Sequence, residues 1–168
     1  MVIVVMGVSG SGKTTVGGAL AQRLGWAFAD ADSFHSAENV QKMRRGVPLT
    51  DQDRTPWLEA LHNAIARWAA AADAGTVLAC SALQRSYRDT LRANIDPAQL
   101  RFVYLRGSYE LFDARLLGRT GHYMPETLLP SQFAALQEPA EDEALILDAG
   151  LPVDRIVDQI AEQLPAGR

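Results

Sequence analysis

Short apolar runs alternate along this chain with longer stretches in which apolar positions recur every three or four residues. The runs are Val2 to Met6, Ala27 to Asp30, Val77 to Cys80, Phe102 to Leu105 and Leu145 to Leu147. Runs of this kind predict short strands, and the periodic stretches between them predict helices. Helices are predicted over Thr14 to Leu24, Ala37 to Arg44, Trp57 to Ala72, Gln84 to Ala93, Tyr109 to Leu117, Thr127 to Leu136 and Val153 to Leu164. In the first, Val16, Leu20 and Leu24 carry the helical spacing. The alternation predicts an α/β fold: a five-stranded parallel sheet with helices on both faces, forming a single domain over residues 1–168. Two connections are long and polar, Ser33 to Trp57 and Gly118 to Glu143. They are expected to be a substrate-binding insertion (about 33–57) and a lid (about 118–143), both at the carboxyl ends of the strands, where open parallel sheets bind ligands.

The first predicted strand runs straight into Gly7-Val8-Ser9-Gly10-Ser11-Gly12-Lys13-Thr14, a G-x-x-x-x-G-K-T segment that opens the first helix at Thr15. Glycines let the backbone curl so that successive N–H groups face one concavity, and the helix that follows turns its positive end to the same spot. A nucleotide phosphate chain is the ligand such a cradle suits. Lys13 would reach the β and γ phosphates, and the Thr14 hydroxyl would serve Mg2+.

Composition narrows the partners. With 168 residues, 48% hydrophobic and 21% charged, the chain can bury one continuous core. A formal net charge of −4 argues against broad binding to nucleic acid or a membrane surface, both of which need a dense cationic face. Cys80 is the single cysteine, so no intrachain disulfide forms. No apolar run approaches the roughly 20 residues of a membrane span, and Met1 to Met6 lacks the features of a leader, so a cytoplasmic location is expected.

Asp30 and Asp32 stand two apart at the end of the second strand. If the extended conformation continues, both point toward the phosphate site, with Asp32 as the base that takes the proton of an attacking hydroxyl and Asp30 supporting the metal. The other reading is a turn in which these residues cap the next helix. His35 either meets a hydroxylated ligand or begins a helix.

Arg85, Arg88 and Arg92 fall at i, i+3 and i+7, on one helix side. Such a stripe either holds a small anionic substrate through guanidinium forks or faces solvent. Ser81, just past the third strand, is well placed for a hydroxylated ligand. Arg115 and Arg119 lie one helical turn apart before Thr120-Gly121-His122 and Pro125 break the pattern. They are candidate nucleotide contacts, with Arg119 as a cation brought to the transferred phosphoryl group, or else they mark a helix C-terminus that favours arginine.

Taken together these residues resemble the small P-loop gluconokinases, relatives of shikimate kinase and the nucleoside monophosphate kinases. The likeness covers nearly the whole chain. Beyond the phosphate loop it rests on Asp30-Ala31-Asp32 with His35, on Gly46-Val47-Pro48-Leu49-Thr50-Asp51-Gln52-Asp53-Arg54 and Pro56-Trp57-Leu58, and on Cys80-Ser81-Ala82-Leu83. Tyr87-Arg88-Asp89, Leu91-Arg92, Gly121-His122 and Ser131-Gln132-Phe133 continue it. The resemblance implies ATP-dependent phosphorylation of D-gluconate at its 6-hydroxyl, with Mg2+ as cofactor and often a homodimer. It makes Asp32 the substrate-side aspartate and Arg54, Arg85 and Arg88 candidate gluconate contacts. Gln84 departs from the family by standing where Lys is common.

Two alternatives remain at this point. One is another small-molecule kinase, acting on shikimate, adenylylsulfate or a nucleoside monophosphate. The other is a nucleotide-binding switch of the GTPase kind, whose guanine-reading Asn-Lys-x-Asp segment does not occur in the chain.

Overall fold

Every residue of the first strand, β1 (Val2–Met6), is buried, because this strand lies in the middle of the sheet with helices above and below it. The computed structural model of the protein describes residues 1–71, 74–118 and 128–164. After β1 come α1 (Lys13–Leu24), β2 (Ala27–Asp30), a single 3-10 turn (Ala31–Phe34), α2 (Ala37–Arg44) and α3 (Asp51–Ala70). Then follow β3 (Thr76–Ala79), α4 (Arg85–Arg92), β4 (Leu100–Arg106), α5 (Tyr109–Leu117), α6 (Leu128–Ala135), β5 (Ala144–Asp148) and α7 (Val153–Glu162). The strands pair in the order β2-β3-β1-β4-β5, and every pairing is parallel.

The period of two along β1 sorts the core. Ile3 and Val5 point to one face, where they join Val16 and Leu20 of α1, Phe112 of α5 and Ile156 and Ile160 of α7. Val2, Val4 and Met6 point to the other, against Trp57, Leu61 and Ile65 of α3 and Leu91 of α4. A strand covered on both sides can be apolar throughout, which is why β1 reads as an unbroken run. The expected fold, a parallel five-stranded sheet with helices on both faces, is the one observed.

α3 starts at Asp51 rather than at Trp57. The Thr50 hydroxyl accepts from the Asp53 N–H at 3.1 Å and the Asp53 carboxylate accepts from the Thr50 N–H at 3.0 Å, a reciprocal cap that satisfies two donors at the helix start. Pro56 then lies inside the helix at the loss of one intrahelical hydrogen bond. The connection expected at 33–57 is therefore the 3-10 turn, α2 and the opening of α3. Lys42 joins α2 to α3 through Asp53 at 2.8 Å, and the Asn39 side chain donates to the Asp53 carbonyl at 2.8 Å.

The segment expected as a lid, 118–143, is not of one kind. Residues 119–127 lie outside the described residues. Beyond α6, the Gln137 N–H donates to the Leu83 carbonyl at 2.9 Å, the Tyr104 hydroxyl donates to Glu138 at 3.3 Å, and Arg88 grips Glu143. Residues 136–143 are thus fastened to the body of the domain.

Candidate active site

The loop between β1 and α1 bends around glycines in the left-handed region: φ is 80° at Gly10 and 96° at Gly12. At Gly10 a Cβ atom would lie 2.8 Å from the Phe112 carbonyl oxygen, so α5 leaves room for glycine alone. The Ser11 N–H donates to the Val8 carbonyl at 3.2 Å and closes the turn. The Lys13 ammonium donates to the same carbonyl at 3.0 Å and so lies across the loop. Outside the loop, one guanidinium nitrogen of Arg115 donates to the Ser11 carbonyl at 3.5 Å and the other to the Ala149 carbonyl at 2.7 Å. Arg115 thereby braces the loop against the chain that follows β5.

Asp30 and Asp32 reach the loop by a turn, not by continued extension. The Asp30 carboxylate accepts from the Asp32 N–H at 2.9 Å with one oxygen and from the Thr14 hydroxyl at 3.3 Å with the other. The capping reading thus holds for Asp30, and it is the cap that frees Asp32. Solvent reaches Asp32 through the cleft, yet the walls crowd its carboxyl. That burial first, and the Asp30 carboxylate second, raise it above the ordinary carboxylate range, while Lys13 pulls the other way.

Ser9, Lys13, Thr14, Asp30, Asp32 and Ser81 line a cleft of about 270 Å3 beside the phosphate loop. An adjoining hollow of about 120 Å3 shares Asp32, Met43, Ser81 and Gln132 with it and adds His35, Arg54, Trp57, Gln84 and Tyr87. The two are halves of one site, with Asp32 on the boundary. Next to the loop on its other side lies a third hollow of about 300 Å3, lined by Gly10, Gly12, Thr15, Arg115, Ala149 and Leu151. Val8 contributes backbone only, since its side chain is buried.

The second half is built on stacked rings. His35 lies flat on Trp57, with ring centroids 4.5 Å apart and planes 7° from parallel, and the Trp57 indole N–H donates to the Ala31 carbonyl at 2.8 Å. Burial, and then the Arg54 cation, lower the His35 imidazole to about 4, so it is neutral near pH 7. Its Nδ1 is buried without a hydrogen-bond partner. Arg54 donates to the Tyr87 hydroxyl at 3.1 Å, and that hydroxyl donates to Asp51 at 2.8 Å. Cys80 also borders the phosphate cleft, but burial pushes its thiol up to about 12 and leaves it inert.

Arg88 lines neither hollow nor cleft, contrary to the expectation that it meets the substrate. Its side chain is 1% exposed, and Nε and Nη2 donate to the two Glu143 oxygens at 2.7 and 3.2 Å. Nη1 serves the carbonyls of Ala82, Leu83 and Gln137 at 3.1, 3.2 and 2.9 Å. Arg92, partly exposed, pairs with Asp89 and with Glu143, so Arg88 and Arg92 are engaged in ion pairs with the chain's own carboxylates. Arg85 is exposed and lies outside the residues that line the hollow; its N–H donates to the Gln137 side chain at 2.8 Å. Arg119, Thr120, Gly121, His122 and Pro125 fall outside the described residues.

Two residues in the site were not anticipated. Gln132 of α6 accepts from the Ser9 N–H at 2.6 Å, and the Tyr87 hydroxyl orders Arg54. Both lie in sequence blocks noted above, Ser131-Gln132-Phe133 and Tyr87-Arg88-Asp89, but neither spacing shows that the side chain faces the cleft.

The Thr14 hydroxyl and the Asp30 carboxylate, 3.3 Å apart in the cleft, form a pair of oxygen donors that a cation could use. Among the described residues no three His, Cys, Asp or Glu side chains gather as a metal cluster. Hard oxygen donors in so small a number fit Mg2+, which takes most of its shell from phosphate and water. Among the described residues no helix is long and apolar enough to cross a membrane.

Comparison with known proteins supplies the family. A family described as an AAA domain matches residues 2–141. The gluconokinase of Gluconobacter oxydans is 48% identical over 162 residues, covering 96% of this chain and 88% of its own. The crystal structure of a sugar kinase from a Janibacter species superposes with a TM-score of 0.88 at 44% identity, covering 97% of this chain and 93% of that one. The crystal structure of a gluconokinase from Sinorhizobium meliloti gives a TM-score of 0.80 at 44% identity, covering 96% of this chain and 94% of that one.

Proposed function

The chain belongs to the gluconokinase family of P-loop kinases, and on that premise we propose how its own residues divide the reaction. The enzyme transfers the γ-phosphoryl group of ATP to the 6-hydroxyl of D-gluconate, giving 6-phospho-D-gluconate and ADP. The observation that supports the assignment of roles is the single site formed by the cleft at the phosphate loop and the hollow adjoining it, with the Asp32 carboxyl at their junction.

The loop from Gly7 to Thr14 holds the β and γ phosphates on backbone N–H groups, and Lys13 leaves the Val8 carbonyl to meet them. The flanking hollow beside Thr15 and Arg115 takes the nucleoside end. In the other direction, Arg54 fits the carboxylate of the sugar acid, and His35 and Ser81 fit its hydroxyls. Asp32 orients the 6-hydroxyl and accepts its proton as that oxygen bonds to the γ-phosphorus and the bond to the β-γ bridging oxygen breaks. Its raised carboxyl makes it a better proton acceptor than an open aspartate. Thr14 and Asp30 would hold Mg2+, which when bound neutralises phosphate charge. Arg119 is retained as the cation offered to the transferring group, and a homodimer in the cytoplasm is the proposed working form.

Coupled ADP release tests this against shikimate, adenylylsulfate and common nucleoside monophosphates. Gluconate should stand out; turnover with another acceptor at equal or greater kcat/KM would overturn the substrate assignment.

A further inference from the structure

Gln132 is half-buried on α6, yet its side chain reaches across to the phosphate loop, where Oε1 accepts from the Ser9 N–H at 2.6 Å. A backbone N–H can be met only by the oxygen end of a carboxamide, so the orientation is fixed and the NH2 end is turned away from the loop. Gln132 lines both halves of the site, as Asp32 does. It therefore borders the volume through which the phosphoryl group must pass.

An incoming triphosphate draws on the backbone N–H groups of this loop, and the Ser9 N–H is one of them. A phosphate oxygen carries charge and makes the stronger hydrogen bond, so it displaces the neutral carboxamide oxygen. The carboxamide has a donor end that the phosphate can accept after rotation about its last torsion, a broad and roughly two-fold one. A carboxylate in the same place would have no donor and would repel the phosphate.

Resting on the phosphotransfer reading above, we infer that Gln132 is a further catalytic residue: it occupies the Ser9 N–H while the loop is empty and donates to the transferring phosphoryl group once nucleotide takes that N–H. The residue thus acts in the transition state and competes with the ground state of nucleotide binding.

Steady-state kinetics, nucleotide calorimetry and thermal melting of wild type, Gln132→Ala and Gln132→Glu test this. Gln132→Ala should lower kcat by about 10- to 100-fold, on the scale of losing one donor to developing charge, while ATP binds as tightly as before or more tightly because a competitor is gone. Gln132→Glu keeps the shape and the Ser9 contact, so its melting temperature should stay close to wild type. Its kcat should fall at least as far, and ATP should bind about tenfold more weakly or worse. Wild-type kcat in either variant overturns the inference, and so does a Gln132→Ala defect that lies wholly in weaker ATP binding. Failure of the wild-type enzyme to phosphorylate gluconate would strike the functional reading itself and is read separately.

Discussion

One carboxylate oxygen of Asp30 holds the N–H of Asp32 at 2.9 Å, which fixes the backbone of its neighbour and leaves the Asp32 carboxyl open to the cleft. Replacing Asp32 with Asn keeps that cap but removes the proton acceptor. We expect kcat to fall by about 100- to 10,000-fold, the usual contribution of a positioned base, with ATP affinity nearly unchanged by calorimetry. In wild type the acid limb of kcat/KM should lie above the ordinary carboxylate range, since burial and Asp30 raise this group. A limb that persists unaltered in Asp32→Asn would assign it elsewhere.

Asp30→Ala should act differently. It removes the acceptor of the Thr14 hydroxyl and a cap worth about 1 kcal/mol. A titration of rate against Mg2+ should shift to higher concentration, with much of kcat recovered at saturation. No shift would detach Asp30 from the metal.

Arg88→Ala should destabilise the fold by about 3–5 kcal/mol, because Glu143 is left as a nearly buried carboxylate without its main partner. Denaturant melts measure this. Whatever enzyme remains folded should show an unchanged KM for gluconate, and a selective rise in that KM would restore Arg88 to the substrate.

Arg54→Ala should raise KM for gluconate about tenfold or more, the scale of one charge-assisted pair, and leave KM for ATP alone. Tyr87→Phe should show a smaller rise, since the hydroxyl only orders the guanidinium. Equal losses toward both substrates in Arg54→Ala would point to a folding defect instead.

His35 gives a pH signature with a definite sign. Its folded value of about 4 lies below the unfolded one near 6.5, so the unfolded chain binds the extra proton first. Stability from the neutral imidazole is complete above about pH 6.5 and is lost as pH falls toward about 4. Half-exposure reduces the size of the effect. His35→Asn should flatten the wild-type stability curve in that window, and an identical curve would mean that the ring is not held neutral.

The sheet was legible in the sequence because its strands are short apolar runs and the phosphate loop fixes where the first one ends. The second half of the site was harder to read. Arg85, Arg88 and Arg92 share a helix face, and spacing cannot show that this face looks onto Glu143, 51 residues beyond Arg92. Asp30 and Asp32 were expected at the cleft by extension and arrive there by a turn, a choice made by one side-chain hydrogen bond. Gln132 was visible as part of a block and invisible as a partner of Ser9, because that contact spans 123 positions.

The nucleotide loop hangs from β1, the most protected strand, whereas Asp32, His35 and Arg54 follow β2, a margin strand with Ala27 and Phe28 open to water. Partial opening begins where fewest neighbours resist it. Under mild stress the enzyme should therefore forget its sugar acid before it forgets ATP, passing through a form that still grips fuel but has nowhere to send it.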